Sequence, residues 1–204
     1  MTTARTINPL PGYPTVRLTR DGEQMTVRPL VPDDKQALME FFRGIPEEGR
    51  FYLKDDVTSS SVIDQWIERM DYSRVLPLVA TTDGKIIADA TLHHGRAGAR
   101  KHTAEVRVLV HPEHRDQGVA RTLLRELIQI ASDRGLEKLV FEVVAGIEES
   151  ARYMAQIVGF VPIGSLRDHV RDIDGTAHDL VILELDVKIQ VREGVFLGTA
   201  REAF

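Results

Sequence analysis

The segment VRVLVHPEHRDQGVARTLL, residues 106–124, holds the residue types and spacing most suited to chemistry in this chain. An apolar strand ends at His111-Pro112, a short turn follows, and Arg115-Asp116-Gln117-Gly118-Val119-Ala120 opens an amphipathic helix. The first N–H groups of a helix lack backbone partners, and the helix dipole favours anions there. Gly118 has no Cβ, so an anion can approach the backbone closely, and Ala120 is nearly as small. Arg115 and Arg121 bracket the turn with positive charge. The pattern suits a diphosphate, yet neither GxxxxGK[ST] nor a strand-following GxGxxG is present. A glycine that merely eases a tight strand-to-helix turn accounts for the same residues, so both readings stand open on this motif alone.

Other reactive types are scattered. The chain has seven histidines and no cysteine, which excludes disulfides, thiolate metal sites and a cysteine nucleophile. His111 and His114 lie in a Pro-broken loop that does not match a helical HExxH, so no metal is expected. Asp89, His93 and His94 fall on or near the end of a strand, and Asp168, His169, Arg171, His178 and Asp179 flank a late hairpin. These are candidates to line an acceptor pocket, with exposed strand residues and turn caps as the simpler reading. His94 and His169 are candidate proton carriers, because imidazole titrates near neutrality. Phe51 and Tyr52 are candidate substrate contacts, whereas Trp66 and Met70 read as core.

The elements that must position these groups are readable from periodicity. In 204 residues, 43% hydrophobic and 28% charged, one α/β domain can bury a sizeable core. Asp21-Gly22, Asp83-Gly84 and Asp174-Gly175 mark three hairpin turns between strand-like runs. Helices are expected over Asp33–Arg43, Ser61–Met70, 117–134 and Glu148–Val158, the first capped by Asp33 and the last two closed by Gly135 and Gly159. Strand–helix–strand over residues 103–144 has the crossover length of two neighbouring parallel strands. The expected fold class is therefore α/β, a mixed and mostly antiparallel sheet with one central parallel pair and flanking helices. Residues 188–204 show a modest strand signal and no clear place.

Charge and composition narrow the partners. The formal net charge of −5 disfavours nucleic acid as the main partner. No apolar run reaches signal-peptide or membrane-spanning length, so a cytoplasmic protein without membrane contact is expected.

The strand end, the His-Pro-Glu-His-Arg-Asp-Gln-Gly-Val-Ala turn and the following Leu-Leu resemble motif A of the GNAT superfamily of acyl-CoA N-acyltransferases. FEVV is similar to the family's next strand, and Ala151…Gly159-Phe160 to its "A…GF" segment. The element order agrees from about Met25 to Val187. The resemblance implies acetyl-CoA as co-substrate, held in the opening where the two parallel strands splay. It implies pantetheine pairing at Leu109, Val110 and His111, and a pyrophosphate on the amides of Gln117, Gly118, Val119, Ala120, Arg121 and Thr122. It further implies thioester polarisation by the N–H near Val110. Glu105 and Glu142 match positions where family members place a catalytic base.

Two departures stand out. The family's Asn and Tyr positions in the helix before Gly-Phe hold Glu148 and Ala155 here. Tyr153 sits about 200° around the helix from Ala155 and is a poor substitute as acid. The expected organisation is an arm and extra strand over 1–24, an acetyltransferase domain over 25–187 and a tail over 188–204. The expected activity is acetyl transfer to a primary amine, small-molecule or peptide, by direct attack. A CoA-binding sensor without turnover and a dimerising subunit with a vestigial loop are the rivals, and a homodimer is an open assembly state.

Overall fold

The computed structural model describes residues 10–95 and 98–192, so the first nine residues and the tail from 193 onward lie outside it. Eight strands are β1 (Thr15–Leu18), β2 (Gln24–Pro29), β3 (Val75–Thr82), β4 (Lys85–His94), β5 (Thr103–Val110), β6 (Lys138–Val144), β7 (Val161–Arg171) and β8 (Ala177–Asp186). Their hydrogen-bonded order is β1-β2-β3-β4-β5-β6-β8-β7. The β1–β2, β2–β3, β6–β8 and β7–β8 ladders are antiparallel and β5–β6 is parallel. This is the mixed sheet expected from the sequence. Helices are α1 (Lys35–Gly44), α2 (Glu47–Arg50), α3 (Ser60–Glu68), α4 (Val119–Asp133), α5 (Glu149–Ile157) and α6 (Val187–Arg192). No described helix is long and apolar enough to cross a membrane.

Contacts divide the chain into two units, residues 1–91 with 108–123 and residues 92–107 with 124–204. In the first unit the turns form where Asp-Gly pairs supply positive φ. Gly22 has φ 86°, and Asp83 and Gly84 have φ 49° and 75°, the twist that two-residue hairpins require. α1 and α3 bury Leu38, Phe41, Phe42 and Ile63 against Leu30, Val79 and Ile86. Trp66 packs edge-on to Phe42 with centroids 6.0 Å apart but keeps 36% of its surface, so it rims this core, while Met70 packs against it as expected.

The start of α1 differs from expectation. A single 3-10 turn, Pro32–Asp34, precedes it, and Asp34 rather than Asp33 carries the local chemistry. The Asp34 carboxylate accepts from both Arg28 terminal nitrogens at 2.6 and 2.8 Å and from the Val31 N–H at 2.9 Å. A two-pronged guanidinium pair needs a carboxylate at a fixed distance from β2, and only the second Asp of the pair reaches it. Glu47–Arg50 forms the short helix α2 after Pro46.

In the second unit β6 pairs with β8 along its whole length, Lys138↔Asp186 to Val144↔Leu180. Its parallel ladder with β5 is shorter, Thr103↔Lys138 to Glu105↔Val140, although both strands run on. α4 ends at Gly135 with φ 71°, and α5 at Gly159 with φ 104°. A Cβ on Gly159 would collide with the buried Gln190 side chain, which locks α6 against that turn. α6 arises where the sequence offered a weak strand signal, because the Asp186 carboxylate accepts the Ile189 N–H at 3.1 Å and starts a helix.

The Arg28–Asp34 clip joins β2 to α1 with side chains only 28% and 11% exposed. Asp34→Ala removes a charge-assisted pair and leaves the Val31 N–H without its acceptor. A loss of about 2 kcal/mol in unfolding free energy is expected. Urea denaturation with an unchanged slope checks it, and a midpoint equal to wild type would show that the clip holds nothing.

Candidate functional site

The strand-to-helix turn lies within the first unit. β5 ends with Leu109, Val110 and His111 half-buried. The His111 N–H donates to the Ile87 carbonyl of β4 at 2.8 Å. Successive residues of a strand turn their backbone groups to opposite edges, so the Val110 N–H faces the edge away from β4. The His111 imidazole lies against Gly44 at the end of α1, where any Cβ would strike its Nε2, and beside the Phe41 ring at 6.5 Å. Here Gly44 is needed for space.

Pro112–His114 form one 3-10 turn, and the backbone then changes hand twice. Asp116 has φ 60° and Gly118 φ 82°. Left-handed residues alternating with ordinary ones curl successive N–H groups toward one side, the geometry of an anion nest. A Cβ on Gly118 would meet nothing within 4 Å, so space is kept open above it. The first helical bond runs from the Thr122 N–H to the Gly118 carbonyl at 3.0 Å. The amides left without helical partners are thus those of Gly118, Val119, Ala120 and Arg121, while Thr122 can offer only its hydroxyl.

Two contacts hold the turn. The Arg20 N–H, from the β1–β2 hairpin, donates to the Gln117 carbonyl at 2.8 Å, and Gln117 Nε2 donates to the Glu113 carbonyl at 3.3 Å. Gln117 Oε1 is buried without a partner among the described residues. Arg115 and Arg121 are exposed and carry no ion pair among them, so their charge remains available. The hairpin tie and the left-handed Asp116 were not foreseen. Asp-Gln-Gly is the signal that could have suggested the second, since Asp and Gly tolerate positive φ best.

Asp89 on β4 also belongs to this unit. It is deeply enclosed, keeps part of its surface accessible, and has no hydrogen bond or ion pair among the described residues. Burial pushes its carboxyl from 3.8 up to about 7.

In the second unit the expected acid–base residues are more committed. Glu105 accepts from Arg107 Nε at 2.7 Å across one strand position. Glu142 is half-buried on β6 opposite Ile182. The Glu148 carboxylate accepts the Val144 N–H at 2.7 Å, and burial raises its pKa despite that bond. It therefore closes the end of β6 instead of standing free where the family's Asn would be. Ala155 is fully buried and Tyr153 is 67% exposed, so the two face opposite sides of α5.

The remaining polar candidates serve local structure. His94 Nε2 lies 2.7 Å from Arg134 Nη1, and burial with that neighbouring charge lowers its pKa. His178 pairs with Asp172 at 2.9 Å, while Asp179 accepts the Asp168 N–H at 2.9 Å where β7 bulges. Arg171 Nη1 donates to the Gly175 carbonyl at 2.7 Å. These are contacts of hairpin closure, whereas His169 is exposed. Phe51 is exposed and stacks edge-on with Tyr52 at 5.6 Å. Among the described residues no three His, Asp or Glu side chains converge as metal ligands.

Comparison with known proteins agrees with this geometry. The family model described as "Acetyltransferase (GNAT) family" matches residues 36–160. The GNAT domain of S. lividans PAT superposes with a TM-score of 0.71 at 26% identity, covering 85% of this chain and 96% of that one. The yncA protein of Salmonella typhimurium, whose structure carries its cofactor acetyl-CoA, shares the fold with a TM-score of 0.67 at 21% identity, covering 80% of this chain and 94% of that one. L-amino acid N-acyltransferase MnaT of Escherichia coli (strain K12) is 33% identical over 100 residues, 47% of this chain. The chain spans 56% of that curated relative's length. The matched segment takes in α1, α3, the left-handed turn and α5, well over half of the sequence, and on that extent the chain belongs to the GNAT acetyltransferase family.

Proposed function

We propose that this chain transfers an acetyl group from acetyl-CoA to a primary amine by direct attack. The observation that carries the reading is the turn at Arg115–Arg121, with two left-handed residues, open helix-start amides and clear space above Gly118. Such a turn fits a diphosphate, and Arg115 and Arg121, with no ion pair among the described residues, add charge of the right sign. The Val110 N–H is placed to donate to a thioester carbonyl, and one such fixed donor is worth about 3 kcal/mol in other enzymes. Holding amine and thioester together supplies much of the remainder. The named acyl-donor cofactor of yncA and the named N-acyltransfer of MnaT support the donor and the reaction.

An ammonium cannot attack, so its proton must leave first. Glu105 and Glu142 are proposed as carboxylates that attract the ammonium and pass on its proton. Arg107 occupies one Glu105 oxygen, which leaves Glu105 better suited to attraction than to strong basicity. Residues 25–187 are proposed as the catalytic domain, with 1–24 and 188–204 as appendages, acting in the cytoplasm. A second reading, acetyl-CoA binding without turnover, is favoured by the buried Ala155 where the family commonly has a tyrosine acid.

Thiol release from acetyl-CoA separates the two readings. The probe is a panel of n-butylamine, spermidine and the protein L-amino acids. Release with at least one amine is expected, and calorimetric binding without release from any would select the sensor. Gly118→Val forces a branched side chain onto a positive φ and into the open space, so acetyl-CoA affinity should fall at least about tenfold in calorimetry. Unchanged affinity with retained fold would remove the cradle assignment. Glu105→Gln and Glu142→Gln should each lower kcat about tenfold, about 1.4 kcal/mol of barrier, and leave acetyl-CoA affinity as it is. A wild-type kcat in both would take the two glutamates out of the site.

A further inference from the structure

Carboxylates deep in a fold normally have partners, because an unpaired buried charge is costly. Asp89 has none. It sits in the middle of β4 between Ala88 and Ala90, both fully buried, on a strand whose buried residues are all apolar and where Thr91 is the next polar residue. The carboxylate is only half-buried, so solvent, and hence a ligand, can reach it, while the packing around it penalises its charged form. A group held this way lowers stability and persists where the site needs it.

Its position gives the need. The His111 N–H bonds to the Ile87 carbonyl, and the Gly95 N–H bonds to the Thr103 carbonyl. Residue numbers run in opposite directions across these two bonds, as in an antiparallel pair. Two residues along β4 from Ile87 is Asp89, and two residues back along β5 from His111 is Leu109. Asp89 is therefore the carboxylate alongside the Leu109–Val110 end of β5, where the proposed thioester carbonyl meets the Val110 N–H. Neighbouring charges do not explain its state. β3 carries no titratable residue, the nearest such groups on β4 are Lys85 and His93, and along β5 they are Arg107 within the strand and His111 just past its end, while desolvation is the cause of the raised carboxyl.

We propose that Asp89 is a further catalytic residue, the group that binds the ammonium of a primary alkyl amine and accepts its proton. This rests on the acetyl-transfer reading and deepens it. The Asp89 carboxylate takes one proton from the ammonium, and the nitrogen lone pair so freed attacks the thioester carbonyl carbon. The C–S bond breaks with its electron pair on sulfur. The surplus proton of the new amide nitrogen goes to that sulfur, giving the free thiol, and Asp89 returns its proton to solvent. The site selects amines that are protonated near neutrality, since a neutral aniline-like nitrogen offers the carboxylate no charge and no proton to remove.

The test uses the full chain and the best amine of the panel above. The kcat/KM of wild type is expected to rise with one ionisation near pH 7. Asp89→Asn should abolish that inflection and lower kcat/KM at least about a hundredfold with acetyl-CoA affinity unchanged, and Asp89→Glu should restore part of the rate with a displaced inflection. A second readout needs no substrate. A carboxyl raised in the folded state contributes stability that is full below its unfolded value of 3.8 and lost as pH climbs through about 7. The Tm of wild type should therefore fall relative to Asp89→Asn between pH 4 and pH 8. An Asp89→Asn protein within threefold of wild type, or an inflection that disappears in Glu105→Gln or Glu142→Gln instead, overturns the assignment while acetyl transfer stands. Parallel Tm curves overturn the unpaired carboxylate itself. A wild type that releases no thiol with any amine removes the transfer reading, and this role with it.

Discussion

Backbone amides that must stay unbonded inside a folded chain are the constraint from which the rest of this structure follows. The stretch from His111 to Arg121 leads from a sheet strand through one 3-10 turn into a helix, whose first N–H groups have no partner within the helix. Here the His111 N–H is taken by Ile87, those of Glu113, His114 and Arg115 are used within the turn, and the helix's first internal bond uses Thr122, which leaves the amides of Gly118 to Arg121 without helical partners. Keeping them open requires backbone of the wrong hand at Asp116 and Gly118, which costs about 1 kcal/mol or more at a residue with a Cβ. External ties hold that strained turn: the Arg20 amide grips the Gln117 carbonyl, and the Gln117 side chain grips the Glu113 carbonyl. The β1–β2 hairpin, outside the segment shared with the family model, thus has a structural reason to exist beside the turn.

The second constraint is electrostatic and concerns which carboxylates are spoken for. Asp34 is held by Arg28, Glu105 by Arg107, Glu184 and Asp186 by Lys138, and Asp172 by His178. Glu148 has burial without a cation but bonds a backbone amide. Such groups are fixed in geometry and in charge, which suits them to bracing the fold. Asp89 differs from all of them in having no partner among the described residues while burial raises its carboxyl to about 7.

How much of this the bare sequence could reveal depended on the range of the interaction involved. Turns at Asp21-Gly22, Asp83-Gly84 and Asp174-Gly175 were readable because positive φ is a property of the residues themselves. α4 was readable because Leu123, Leu124, Leu127, Ile128 and Ala131 repeat at helical spacing and are all fully buried. The same local logic marked Gly118 as the residue of the strand-to-helix turn, and its φ there is positive. What escaped was set by partners distant in sequence. Nothing near Asp34 announces that Arg28 will choose it over Asp33, and nothing near Gln117 announces Arg20. α6 escaped because its strand-like residues follow Asp186, whose capping carboxylate is decided by the end of β8. Asp89 is readable in the sequence as a candidate to line an acceptor pocket, but its lack of a partner among the described residues is a three-dimensional fact.

The departures at Glu148 and Ala155 bear on where the final proton comes from. Ala155 is packed into the core, and the exposed Tyr153 lies around the far side of α5, so neither supplies a donor in place of the family's tyrosine. Glu148, although burial favours its neutral form, spends its carboxylate on the Val144 amide. A leaving thiolate must then be protonated by the atom that displaced it or by solvent. The amide nitrogen formed in the attack is cationic until it loses a proton and lies within bonding distance of the departing sulfur by the geometry of the tetrahedral state. A single carboxylate near neutrality is enough for such a cycle, because it needs to remove only the first proton and return it to water. One acidic residue next to the strand end, without a partner among the described residues, can thus take the first proton, with Glu105 and Glu142 left to attract the ammonium and pass that proton on.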